Sequence, residues 1–252
     1  MLSDTRLLTF DVFGTVVDWR SSVTREGQQL AAQHDLPGID WNAFALAWRG
    51  RYGQSMAPIR DGSRDWVRLD ILHRENLVAT LAQFGIDTLT DSQIDHFNRA
   101  WHRLDPWPDS VPGLTRLKTR FTLATLSNGN IELMVNMAKH SGLPWDVVLG
   151  AETARQYKPH PEVYRSAAEI MGLAPEQCCM VAAHPADLAA AAAVGFRTAY
   201  IHRPDEHVPG STPAMPPTAL PPTATPPIAM PDVSRFDIAV TSLEALADQL
   251  NC

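Results

Sequence analysis

The sequence predicts an α/β fold, a Rossmann-like parallel sheet core with an inserted helical cap domain. Three observations lead there. Short apolar runs alternate with helix-like segments, the pattern of parallel strands covered by helices on both faces. More than a hundred residues separate the first run from the second, and that interval carries helical spacing only. Polar residues close several runs at the end where open parallel sheets bind ligands.

Taken in order, Leu7-Leu8-Thr9-Phe10 is a buried strand that stops at Asp11 and turns at Gly14. Trp41, Phe44, Leu46, Trp48 and Tyr52, then Leu69, Leu72, Leu77 and Leu81, recur at helical spacings. Residues 21–105 are therefore expected to form the cap, and residues 1–20 and 106–252 the core. The loop Asp105-Pro106-Trp107-Pro108 closes the insertion. Phe121–Leu126 is the second strand and ends at Ser127-Asn128-Gly129; Val147–Leu149, Cys179–Ala182, Thr198–Ile201 and Ile238–Val240 follow. Between the last two, nine of the chain's 20 prolines fall in residues 209–231. Proline lacks an amide donor and favours extended backbone. The stretch reads as a Pro-rich surface loop; it is similar to a ligand for an SH3 or WW domain, but no basic residue flanks the prolines closely.

Composition narrows the function. A chain of 252 residues with 45% hydrophobic and 19% charged residues is globular, with one main core and a sizeable insertion. Twenty-one Lys and Arg against 28 Asp and Glu give a net charge of -7, so no basic field exists for nucleic acid or anionic lipid. No stretch approaches the roughly 20 apolar residues that span a bilayer, and the N-terminus reaches polar residues too soon for a signal peptide. Neither nucleic acid nor membrane is expected as a partner. Cys178 and Cys179 are adjacent in an apolar run and Cys252 is terminal. That fits neither a disulfide framework nor a zinc pattern, and a cytoplasmic location is expected.

The chemistry-bearing residues sit at predicted strand ends. Asp11, before the Gly14 turn, occupies a nucleophile's position, and equally that of a helix-capping acid. Ser127, Asn128 and Gly129 can present donors to an anion, or simply form a turn. Lys158 precedes a helix starting near Pro161 and can reach the same crevice, or stay solvated. His184 and Asp187 follow the fourth strand, where a loop histidine and a first-turn acid would also be ordinary. Jointly they converge on one edge of one sheet.

In that order, Asp11 with Gly14-Thr15, Ser127-Asn128, Lys158-Pro159 and the loop ending at Asp187 resemble the four motifs of the haloacid dehalogenase superfamily, over nearly the whole chain. Most members are magnesium phosphatases. Those carry a second Asp two residues after the nucleophile, where this chain has Phe13, and hold magnesium with acids of the fourth motif, where Ala182–Asp187 offers one. A hard cation is poorly served. Both departures resemble the L-2-haloacid dehalogenase branch, as does Tyr164 in Lys-Pro-x-Pro-x-Val-Tyr. The resemblance thus implies no metal, no cofactor, and a small 2-halocarboxylate and water as the partners; it also allows a homodimer.

It further implies roles. Asp11 attacks the halogen-bearing carbon and forms an ester, which water hydrolyses to the 2-hydroxy acid. Thr15 orients Asp11. Ser127 and Asn128 hold the substrate carboxylate, Phe13 lines the pocket, and Lys158 keeps Asp11 ionised. Tyr164 contacts the substrate carboxylate or Lys158. Asp187, Lys158 and His184 align the water, with His184 able to accept its proton. Arg60 is the expected halide ligand by alignment of the cap, with Arg49 and Arg51 as alternatives. The dehalogenases usually have Ser, Asn and Trp where this chain has Ala182, His184 and Ala186, and Tyr at Phe13. A magnesium phosphatase or phosphonate hydrolase, and a catalytically idle carboxylate-binding member, remain the other readings.

Overall fold

The computed structural model describes residues 4–34, 36, 38–207 and 232–252; the Pro-rich stretch expected at 209–231 lies outside them. The chain opens with β1 (Leu7–Phe10) and the short β2 (Val17–Asp18). Helices α1 (Trp19–His34), α2 (Trp41–Gly50), α3 (Tyr52–Arg60), α4 (Leu69–Gln83) and α5 (Asp91–Asn98) follow, then a 3-10 turn at Arg99–His102 and β3 (Asp105–Pro106). Next come α6 (Ser110–Leu117), β4 (Thr122–Ser127), α7 (Ile131–Ser141), β5 (Val147–Gly150), α8 (Ala151–Ala154) and α9 (Pro161–Ile170). The chain continues through β6 (Cys178–Ala182), α10 (Pro185–Ala193), β7 (Arg197–Ile201), β8 (Ile238–Val240) and α11 (Leu243–Gln249).

Six strands form one sheet in the order β5-β4-β1-β6-β7-β8, and every pair in it is parallel. β1 lies in the middle because its four residues are apolar or hydrogen-bonded on both faces and all are buried. Successive side chains leave a strand on opposite faces, so the sheet divides the core in two. Leu8, Phe10, Cys179 and Val181 face the side closed by α6 and α11; Leu7, Met180 and Ala182 face α9 and α10, with Val163, Leu188 and Ala191 packed there. The chain leaves β1 for β4 on one side and returns to β6 on the other, so the carboxyl end of β1 borders the crevice where such sheets bind ligands.

The helical insertion is tied off at its base. β2 pairs antiparallel with β3, Val17 facing Pro106 and Asp18 facing Asp105. The Trp107 indole donates to the Gly14 carbonyl at 2.9 Å and the Ser110 hydroxyl to the Val16 carbonyl at 2.7 Å, so both crossings are held beside the turn that follows Asp11. Asp40 caps α2 by accepting from the amides of Asn42 and Ala43, and a Thr90–Gln93 capping box starts α5. These caps orient α2 and α5 so that Trp41, Phe44, Trp48 and Phe97 meet ring against ring, with centroids 5.1 to 6.3 Å apart. A polar clasp then fixes the insertion to the sheet. Asp70, in the first turn of α4, accepts from the Asn130 amide at 2.9 Å and pairs with His102 at 3.0 Å. Among the described residues no helix is long and apolar enough to cross a membrane.

Candidate active site

Asp11 follows β1, anchored by its amide on the Val181 carbonyl at 3.0 Å, and the residue is 7% exposed. A buried carboxylate must be paired, and three donors reach it. The Lys158 ammonium lies 3.0 Å from Oδ1, the Thr15 hydroxyl donates to Oδ2 at 2.9 Å, and His184 Nδ1 lies 2.8 Å from Oδ2. Thr15 is itself oriented, because its oxygen accepts from the Ala183 amide at 2.8 Å. Burial alone would raise the Asp11 carboxyl, but the Lys158 charge and then His184 outweigh it and hold it well below the usual carboxylate range. Oδ1 carries one donor and Oδ2 carries two.

Lys158 bridges Asp11 and Asp187, and its backbone amide is fixed on Asn128 Oδ1 at 2.7 Å. Burial opposes its charge, yet the two carboxylates raise it above the ordinary lysine value. Asp187 sits in the first turn of α10, so it is both the helix acid and a member of the cluster. Tyr164 donates to Asp187 Oδ1 at 2.5 Å. Tyr164, expected to contact the substrate carboxylate or Lys158, thus meets the carboxylate that Lys158 also holds. Burial pushes the Asp187 carboxyl up against the opposing charge of Lys158, and the like charge of Asp11 adds to the rise. Ser127, at the end of β4, accepts the Gly129 amide at 3.1 Å, which leaves its own hydrogen to donate.

His184 differs from the sequence expectation. Nδ1 faces Asp11, while Nε2 stands 3.0 and 3.1 Å from the two oxygens of Glu206. Burial alone would lower its pKa, but hydrogen bonds to Asp11 and Glu206 and their charges raise it to about 10. At neutral pH the ring is an imidazolium donating from both nitrogens, so neither is open to accept a proton from water. Glu206 has no counterpart among the sequence candidates. It lies in the short turn after β7, with no sequence spacing that ties it to His184 or Gly14. The chain is shaped around its carboxylate: a Cβ on Gly14, whose φ is +84°, would stand 2.1 Å from Glu206 Oε1.

The expected cap arginine is a second correction. Arg60 ends α3 and donates to the Gly53 carbonyl at 3.3 Å near the surface, and Arg51 donates to Gln83 at 2.9 Å. Arg49 instead reaches the nucleophile's neighbourhood. Its guanidinium lies over Tyr52 at 3.9 Å, with the rings of Trp19 and Phe13 at 5.5 and 5.9 Å. Phe13 is packed edge-on against Trp101, whose ring stacks on His73 at 4.5 Å. Arg49 Nη1, Trp101 Nε1 and both ring nitrogens of His73 are buried and have no partner among the described residues. Burial takes the His73 pKa down to about 3, so the ring is neutral. Each unpaired buried polar group costs about 1–3 kcal/mol, and a small acceptor would relieve that cost at Arg49, at Trp101 and at the one N–H of the neutral His73 ring. Sequence reading missed Trp19, His73 and Trp101 because their spacing marks them only as helix core.

Among the described residues no group of three or more His, Cys, Asp or Glu side chains is placed to hold a metal ion. Asp11 and Asp187 are paired through the Lys158 ammonium.

Comparison with known proteins is concordant. The haloacid dehalogenase-like hydrolase family matches residues 5–195. The crystal structure of a defluorinating L-2-haloacid dehalogenase is 45% identical, with a TM-score of 0.86 over 98% of this chain and 96% of that one. A second L-2-haloacid dehalogenase structure is 38% identical, with a TM-score of 0.84 over 98% and 99% of the two chains. The (S)-2-haloacid dehalogenase 4A of Burkholderia cepacia is 29% identical over 81% of this chain and 85% of its own.

Proposed function

This chain belongs to the haloacid dehalogenase-like hydrolases, and from that premise we propose that it hydrolyses short (S)-2-haloalkanoic acids to 2-hydroxy acids through an aspartyl ester, without a metal. The observation that carries the reading is Asp11 held ionised by Lys158, Thr15 and His184 beside unpaired cap donors. Phe13 stands where a phosphatase needs an acid to protonate its leaving alkoxide; a halide leaves without a proton.

Residues 21–105 act as the cap and residues 1–20 and 106–252 as the core. Ser127 and Asn128 take the substrate carboxylate. Asp11 Oδ1, the oxygen with the single donor, displaces halide in line and inverts the carbon. Arg49, Trp101 and His73 surround the departing halide, supplying positive charge and N–H groups where negative charge develops. Fluoride is the strongest hydrogen-bond acceptor among the halides, and these donors, with the likeness to a defluorinating enzyme, support including fluorinated acids in the substrate panel. Asp187, held by Lys158 and Tyr164, then takes the proton of the water that attacks the ester. Free, buried Cys178 and Cys179 suit a reducing cytoplasm. A homodimer would leave this chemistry unchanged, because every group named comes from one chain.

The test is a panel of (S)- and (R)-2-chloropropionate, fluoroacetate and a phosphate monoester with magnesium. Halide release from the (S)-acid with an alkylated Asp11 in the mass spectrum is expected. Phosphate release without halide release would return the chain to the phosphatases, and neither product would make it a binding protein.

A further inference from the structure

Resting on that reading, we infer that Glu206 is a positioning residue for the second half-reaction, holding His184 as a cation whose Nδ1–H, with the Thr15 hydroxyl, forms an oxyanion hole on Oδ2 of Asp11. Three geometric facts carry this. Both donors already sit on Oδ2, at 2.8 and 2.9 Å, and neither is needed on Oδ1. Glu206 is 4% exposed, faces Nε2 of the same ring, and is fixed by the Trp19 indole at 3.1 Å. Gly14 leaves room for that carboxylate against the nucleophile's turn, where a Cβ would stand 2.1 Å from Oε1.

Oδ1 forms a bond to the substrate carbon and halide departs with the electron pair of the carbon–halogen bond. The ester carbonyl is then Cγ–Oδ2, still hydrogen-bonded to Thr15 and His184. Water adds to Cγ, giving one proton to Asp187, and the carbonyl electron pair moves onto Oδ2. That developing charge falls between a hydroxyl and an imidazolium that are already in place. Collapse restores Cγ–Oδ2 and breaks Cγ–Oδ1; the departing alkoxide takes the proton from Asp187, and the carboxyl of Asp11 releases its own proton to solvent. His184 stays protonated throughout.

Among the described residues the charged groups paired with His184 are Asp11 after β1 and Glu206 after β7, with Lys158 and Asp187 one partner removed. Glu206→Gln keeps an acceptor for Nε2 but removes one of the two charges that hold the ring protonated. Its cation is therefore lost at lower pH than in the parent enzyme. Halide burst and decay of alkylated Asp11 are to be followed separately from about pH 6 to 9. For Glu206→Gln we expect a burst within a fewfold of the parent, ester decay close to the parent's at the acid end, and decay on the order of 100-fold slower at the alkaline end. His184→Asn, which offers a neutral N–H, should slow ester decay without that pH dependence. Ester decay in Glu206→Gln that rises with pH would make His184 a base and overturn the inference, as would a profile identical to the parent's. Absence of any burst or ester in the parent would instead fail the dehalogenase reading itself.

Discussion

The Arg49 guanidinium lies 3.9 Å over the ring of Tyr52, whereas Arg60, at the other end of α3, donates to the Gly53 carbonyl. Arg49→Ala should therefore lower single-turnover halide release on the order of 100-fold, the usual cost of removing a donor from developing negative charge. Arg60→Ala should change it less than fivefold, because its guanidinium donates to the Gly53 carbonyl and not toward Asp11. Stopped-flow halide detection decides between them, and the reverse ranking would return the halide to Arg60.

How much of this was legible beforehand follows from where the information lies. All six strands could be read from apolar runs, because a strand buried on both faces writes its burial directly into consecutive residues. Asp11, Lys158 and Asp187 were legible from strand ends, and they do meet at one ammonium. Arg49, Arg51 and Arg60 were not separable, since helical spacing says which residues share a face and not which face another helix covers. Glu206 was illegible for another reason: it is paired with Gly14 and His184 only through the sheet, at no fixed spacing from either.

Removing the Lys158 charge should move the nucleophile's titration. In the parent, Asp11 is held below the usual carboxylate range, so the halide burst should persist as pH falls through the range where free carboxylates protonate. In Lys158→Met the burial that raises Asp11 loses its largest opponent. The acid limb of the burst should shift upward, and lowering the pH should abolish the burst sooner. Burst amplitude against pH measures this, with circular dichroism confirming the fold; an unshifted limb would show that His184 and Thr15 alone keep Asp11 ionised.

Chelation should leave turnover unchanged. Phe13 and the imidazolium of His184 stand where a magnesium-dependent hydrolase of this family needs acids. Steady-state halide release after exhaustive EDTA treatment is the measurement. Loss of activity that magnesium restores would overturn this part of the mechanism.

Oxygen tracing separates a nucleophilic Asp11 from one that merely activates water. If Oδ1 forms the ester and water then attacks Cγ, the product of a single turnover carries the oxygen that Asp11 had before the reaction. Performed in heavy-oxygen water with enzyme in excess, the first 2-hydroxy acid should be unlabelled, and the label should appear in the peptide containing Asp11. Direct attack of an Asp11-activated water on the substrate would give the opposite distribution, label in the product and none in the protein. Asp11→Asn is the control, since a neutral amide cannot displace halide; it should release no halide and take up no label while keeping the parent's circular dichroism. Because Oδ2 is the oxygen held by Thr15 and His184, repeated turnovers should exchange the Oδ1 position first and reach two labelled oxygens only if the carboxylate rotates between cycles. A doubly labelled Asp11 after few turnovers would mean that Thr15 and His184 do not hold the carboxylate fixed.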